Sequence, residues 1–132
     1  PGVVAAGDLA RWPNGCFDGV VMRVEHWEHA VGSGAAAART LLGVGEPWAP
    51  VPWFWSDQYH RKIQLAGWTS ADDEVRVVEG SVEERRFVAL YGRADRLVGV
   101  LGVNRPAKVI GWRRQIEAGM TWAEALAEAG VE

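Results

Sequence analysis

The spacing of apolar residues changes along the chain, and each change predicts a different element. The first apolar run, Val3-Val4-Ala5-Ala6, ends in Gly7-Asp8 and reads as a buried strand whose neighbouring strands are not in the sequence; a short edge strand is the plainer alternative. Arg11-Trp12-Pro13-Asn14-Gly15 is dense in breakers and predicts a loop, which leads through Phe17-Asp18-Gly19 to a short apolar run, Val20 to Val24. From Glu25 to Leu42 the spacing is helical. Glu25 and Glu28 stand at the positive end of the helix dipole, Arg39 lies in the last turn, and Gly43 follows as a cap. Ala30, Ser33, Gly34, Ala37 and Ala38 form a stripe of small residues, as on a helix built to lie close to another backbone or a flat ligand. Gly32 and Gly34 inside the helix each cost about 1 kcal/mol against alanine, and such a cost usually has a packing reason.

Pro47, Pro50 and Pro52 make the next stretch a semi-rigid connector, and a domain boundary is expected there, between residues 46 and 47. Then come four aromatic rings, Trp53, Phe54, Trp55 and Tyr59. In an extended segment Trp53 and Trp55 point to one side and Phe54 to the other, so one face can line a pocket while the other joins a core. The plainer reading is that all three leading rings are core. Four strand-like runs follow, at 62–67, 74–79, 86–91 and 97–103, the second and third alternating polar with apolar as half-buried antiparallel strands do. The rest is helical, from Ala107 to Ala118 and from Thr121 to Ala129, with Thr121 and Glu124 spaced as a capping box. Strands followed by helices in one block predict an α+β fold: a small antiparallel sheet with helices packed on one side, preceded by a strand and a helix.

Length and composition narrow the classes. With 132 residues, 48% of them hydrophobic, the chain suits one domain with a flanking arm. A net charge of −3 carries no nucleic-acid signature, and no apolar run is long enough for a membrane span. The single Cys16 and the lack of a visible secretory signal suit a cytoplasmic protein, and the apolar opening suggests the C-terminal piece of something larger.

Candidate chemistry gathers at two places. Asp8 follows Ala6-Gly7 at the end of the expected strand, where a carboxylate can accept hydrogen bonds from sugar-type hydroxyls. The helix start at Glu25-His26-Trp27 offers N–H groups and a positive dipole end to an anionic or carbonyl-bearing ligand, with Trp27 as a flat wall. His26 and His29 share a helix face, but His60 is the only other histidine and the set falls short of a metal site. His60-Arg61-Lys62, Arg85-Arg86 and Arg113-Arg114 are short basic clusters, either solvated faces or local fields that steer an acidic partner. No Gly-x-Gly-x-x-Gly follows a strand, so neither dinucleotide-binding fingerprint is in the sequence.

Taken in order, Val4-Ala5-Ala6-Gly7-Asp8 through Arg11-Trp12, Arg23-Val24-Glu25-His26-Trp27 with its alanine-rich helix, Pro52-Trp53-Phe54-Trp55-Ser56-Asp57-Gln58-Tyr59, and Val103-Asn104-Arg105-Pro106 resemble the C-terminal part of the bacterial NAD(P)H-dependent ferredoxin or rubredoxin reductases, flavoproteins of the pyridine nucleotide-disulfide oxidoreductase superfamily. The resemblance implies that residues 1–46 are a remnant of an FAD-binding domain and residues 47–132 the C-terminal reductase domain. It implies that Asp8 binds the ribityl chain of FAD, that Glu25, His26 and Trp27 meet the flavin, the backbone at Trp27 at its pyrimidine edge, and that Trp53 or Trp55, with Trp55 favoured, lies near the flavin and the ferredoxin-docking face. The reaction it implies is hydride transfer from NAD(P)H to FAD, then single-electron transfers to an iron–sulfur protein. Without the glycine-rich loops this chain alone is expected to be inactive and to hold FAD weakly, with the rest of the FAD and NAD domains as its partner. Two readings compete. One is an interaction or dimerisation module that buries the tryptophan-rich stretch in a homodimer. The other is a carbohydrate-binding module, which would leave Asp8 and Trp27 without a role.

Overall fold

The computed structural model describes residues 2–131, and its contacts divide the chain between Phe54 and Trp55 into two units, each with its own core. In the first unit a 3-10 turn at Gly7–Leu9 is followed by two short antiparallel strands, β1 (Trp12–Asn14) and β2 (Val20–Met22), paired Trp12 to Met22 and Asn14 to Val20. The turn between them works because Asn14 Oδ1 accepts from the Cys16 N–H at 3.0 Å and Asp18 takes the left-handed conformation, φ 54°. One helix follows, α1 (Trp27–Leu41), with His26 as its extended N-cap and Leu42 at its C-terminal end. Gly43 then turns at φ 74°, which a residue with a side chain adopts only at a cost. The connector runs back along this unit: Asn14, fully buried, donates from Nδ2 to the Pro50 carbonyl at 2.8 Å, and Trp12 Nε1 donates to the Trp48 carbonyl at 3.2 Å. Met22, Val24 and Val51 are buried in the core with Asn14.

The opening run departs from expectation. Residues 3–6 form no strand; Ala6 has extended backbone, but no ladder partner lies beside it among the described residues, and Val3 is 92% exposed. An apolar run becomes a strand only when another strand takes its N–H and C=O groups.

The second unit is a five-stranded antiparallel sheet with two helices. Its strands are β3 (Trp53–Gln58), which begins two residues before the division, β4 (Arg61–Gly67), β5 (Glu74–Ser81), β6 (Arg86–Arg93) and β7 (Arg96–Val103), in the order β3-β4-β7-β6-β5. The register sets Leu90 opposite Val100 and Val88 opposite Gly102, with a bulge in β5 between Val77 and Glu79. Side chains two apart share a face of a strand, so Val88, Leu90 and Gly92 look the same way. The helices α2 (Pro106–Glu117) and α3 (Trp122–Ala129) cover that face: a Cβ on Gly102 would stand 2.3 Å from Val109 of α2, and one on Gly92 would stand 2.3 Å from the Trp122 ring of α3. Both glycines therefore let a helix sit directly on the sheet. Leu90, Val100 and Val109 are fully buried, each contributing about 1.5–3 kcal/mol. The capping box is present in full: Thr121 Oγ1 accepts from the Glu124 N–H, and Glu124 Oε2 accepts from the Thr121 N–H. A buried Asp73 closes the loop after β4, accepting from Arg93 at 2.6 and 3.0 Å and from the Ser70 N–H at 2.6 Å. No helix among the described residues is long and apolar enough to cross a membrane.

Candidate functional site

The small face of α1 fixes the position of Asp8. Ser33 Oγ, buried on that face, accepts the Gly7 N–H at 2.8 Å and donates to the Ala30 carbonyl at 3.2 Å, and a Cβ built on Gly7 would already touch Ala30 at 3.8 Å. Gly7 sits at φ +71°, where glycine is the favoured residue. This lock holds the 3-10 turn against the start of α1 and leaves the Asp8 carboxylate exposed. Asp8 is close enough that its charge acts on both His26 and His29.

Around it stand the residues of the helix start. His26 makes no side-chain cap hydrogen bond to the helix; its ring instead packs against Phe54 with centroids 5.2 Å apart, and its Nδ1 is buried without a hydrogen-bond partner. Trp27, the first helical residue, is 71% exposed. Glu25 is held by Arg23 at 2.6 Å in an exposed ion pair. Burial holds the His26 imidazole below its ordinary pKa, against the opposing charges of Glu28, Asp8 and Glu25, so the neutral ring predominates at pH 7.

One turn on, His29 is buried against two indoles that also stack on each other, 4.7 Å from Trp12 and nearly parallel to it, and 5.1 Å from Trp48 at a tilt of 39°. Its pKa is lowered by burial, with a hydrogen bond to the Gly7 backbone, Glu28 and Asp8 opposing and His26 adding to the fall, and its Nε2 has no hydrogen-bond partner. The ring is thus part of the core under the site. No group of three potential metal ligands converges among the described residues.

Of the six residues singled out from the sequence, Asp8, Glu25 and His26 converge at the start of α1, where Trp27 begins the helix. Trp53 is half-buried and precedes Phe54, the residue that meets His26. Trp55 is half-buried in β3 of the second unit. Sequence reasoning missed Phe54 as the partner of His26, and Trp12 and Trp48 as the indoles packed on His29. Their separations, 28, 17 and 19 residues, leave no local signal; Phe54 was marked only as the ring opposite Trp53 and Trp55, and Ser33 as a member of the small stripe.

The arrangement offers an exposed carboxylate to hydroxyl groups and a helix N-terminus to a carbonyl or anionic edge, with a flat indole alongside. These are the contacts that a sugar alcohol chain joined to a planar heterocycle needs, so the residues fit that part of a flavin cofactor. A phosphate cradle is not among them.

The family model described as Reductase C-terminal matches residues 53–131. Rhodocoxin reductase of Rhodococcus erythropolis is 39% identical over 104 residues, which cover 79% of this chain and 24% of that protein. Human apoptosis-inducing factor 3 is 31% identical over 104 residues, covering 79% of this chain and 17% of its own length. Among solved structures, that of a covalent putidaredoxin reductase–putidaredoxin complex aligns with a TM-score of 0.80 and 29% identity over 88% of this chain and 27% of that one. The chain thus spans between 17% and 27% of the length of these three relatives.

Proposed function

Since the chain belongs to the Reductase C-terminal family, we propose that it is the C-terminal portion of an FAD-dependent ferredoxin reductase that takes electrons from NAD(P)H. In this reading residues 1–46 complete a flavin-binding domain and residues 47–132 are the reductase C-terminal domain. The Asp8 carboxylate accepts hydrogen bonds from the ribityl hydroxyls, and the start of α1 at Glu25, His26 and Trp27 meets the pyrimidine edge of the ring. A bound FAD supplies the chemistry that converts a two-electron hydride input into single-electron steps to an iron–sulfur protein. The chain's own residues set the conditions. The positive end of α1 favours negative charge on the flavin, the neutral His26 and the Trp27 ring shield that edge from water, and Trp53 and Trp55 line the approach of the ferredoxin, Trp55 nearer. The partner is an iron–sulfur ferredoxin, as the putidaredoxin complex of the structural relative suggests.

The observation that carries the reading is the lock between Gly7 and Ser33, which holds an exposed aspartate beside the N-terminus of a helix. The test is a chimera in which this chain replaces the matching C-terminal part of rhodocoxin reductase. The expected result is a yellow protein that NADH bleaches, with flavin retention lowered at least tenfold by Asp8→Ala. A folded chimera that takes up no flavin, or that holds it equally well after Asp8→Ala, would sink the assignment of Asp8.

A further inference from the structure

We infer that the seam between β5 and α2, in the second unit, is a docking groove for an extended acidic segment of another protein. Two hollows share Glu79 and Lys108 and so form one groove along this seam. The first, about 420 Å³, is lined by Arg86, Arg105 and Lys108 with Glu79 as its one carboxylate. The second, about 290 Å³, continues past Lys108 to Gly111 and Trp112 and carries a further carboxylate, Glu128, at its far end.

Charge selects the occupant. Glu79 pairs with both Arg105 at 2.7 Å and Lys108 at 3.1 Å, and its pKa is lowered first by the hydrogen bond from Lys108. In the first hollow three cations stand against the one carboxylate of Glu79 and leave positive charge over, and Lys108 remains 59% exposed there. An added carboxylate therefore fits in that hollow where a cation does not, whereas Glu128 repels a carboxylate from the second. The occupant must also be apolar farther along. A Cβ on Gly111 would meet no atom within 4 Å, so the helix leaves open space next to the half-buried Trp112, with room for an aliphatic side chain that follows the acid. β5 is one of the two edge strands of the sheet, yet its bulge at Val77–Glu79 breaks the regular ladder, so side chains rather than strand pairing hold the segment.

The test uses the full chain and a fluorescein-labelled synthetic peptide with three glutamates followed by two leucines, read by fluorescence anisotropy. Saturable binding is expected, weakened at least tenfold by Lys108→Glu or Arg86→Glu and lost with Gly111→Leu. Gly111→Leu enters open space on a helix, and an unchanged circular dichroism spectrum shows that it folds. The proposal is overturned by three results: no saturable binding, binding that survives both Lys108→Glu and Gly111→Leu, or tighter binding of an oligonucleotide of equal charge through the same residues. No flavin takes part, so failure of the chimera leaves this result unaffected.

Discussion

A histidine ring 3% exposed and packed against both Trp12 and Trp48, which also stack on each other, has little room for a charge. Two effects oppose each other there. The indole faces, the Gly7 backbone, Glu28 and Asp8 favour the imidazolium, whereas burial and His26 disfavour it, and burial wins. The sign of the pH dependence follows. Both histidines have folded pKa values below the unfolded 6.5, so they cost the fold nothing above that value. As the pH falls through 6.5 the unfolded chain takes up protons that the folded chain refuses, and stability declines until the folded pKa values are passed. Urea midpoints followed by tryptophan fluorescence should therefore fall from pH 7 to pH 5, and His29→Gln should flatten part of that slope, the rest belonging to His26. A slope unchanged in His29→Gln would place the linkage elsewhere. The sequence showed His29 only as a neighbour of His26 on a helix face. Its burial depends on indoles 17 and 19 residues away, which periodicity does not report.

Elements formed by local chemistry were the legible ones. The capping box at Thr121 and Glu124 needs four consecutive residues, and it is present in full. The helix predicted from Glu25 to Leu42 spans Trp27–Leu41, and the four predicted strands are each present within two residues of the expected ends. What failed was the opening run, expected as a strand, and the loop expected at Arg11 to Gly15, where Trp12–Asn14 is a strand paired with Val20–Met22, because strand formation is a property of a pair. What stayed hidden was the fit of helix to sheet at Gly92 and Gly102. That fit is testable. Gly102→Ala drives a methyl group to 2.3 Å from Val109 Cγ2, an overpacking that should cost about 1–3 kcal/mol in urea unfolding. Adding Val109→Ala removes the obstructing methyl groups, so the double variant should lose less than the sum of the two single losses. Strict additivity would mean that the helix simply shifts. The Arg93 fork is a second element-level tie. Asp73 has a side chain with no exposure, and Arg93→Leu would leave it with the Ser70 N–H as its remaining partner. A loss of about 1.5–3 kcal/mol is expected, only partly restored by Arg93→Lys, which keeps the charge without the fork.

The two units differ in how completely they cover their own apolar surface. Of the sixteen large hydrophobic side chains exposed among the described residues, eleven lie up to Phe54, including Val3, Leu9, Trp27, Leu42 and Val44, and five lie beyond it. The first unit rests on two three-residue strands and one helix, whereas the second has a five-stranded sheet covered by two helices. If residues 1–46 complete a larger flavin-binding domain, as proposed, that domain would cover part of this exposed apolar surface. A difference in local stability follows, because opening free energy tracks buried apolar contact. In hydrogen exchange of the chain alone, the amides of β6 and β7 should be the slowest and those of α1 should exchange far earlier. In the chimera with rhodocoxin reductase, α1 should gain protection while β6 and β7 change little. If α1 in the isolated chain were already as protected as β7, the first unit would be self-sufficient and its apolar face would need another explanation. If α1 gained nothing in a chimera that binds flavin, that face would not be where the larger domain docks.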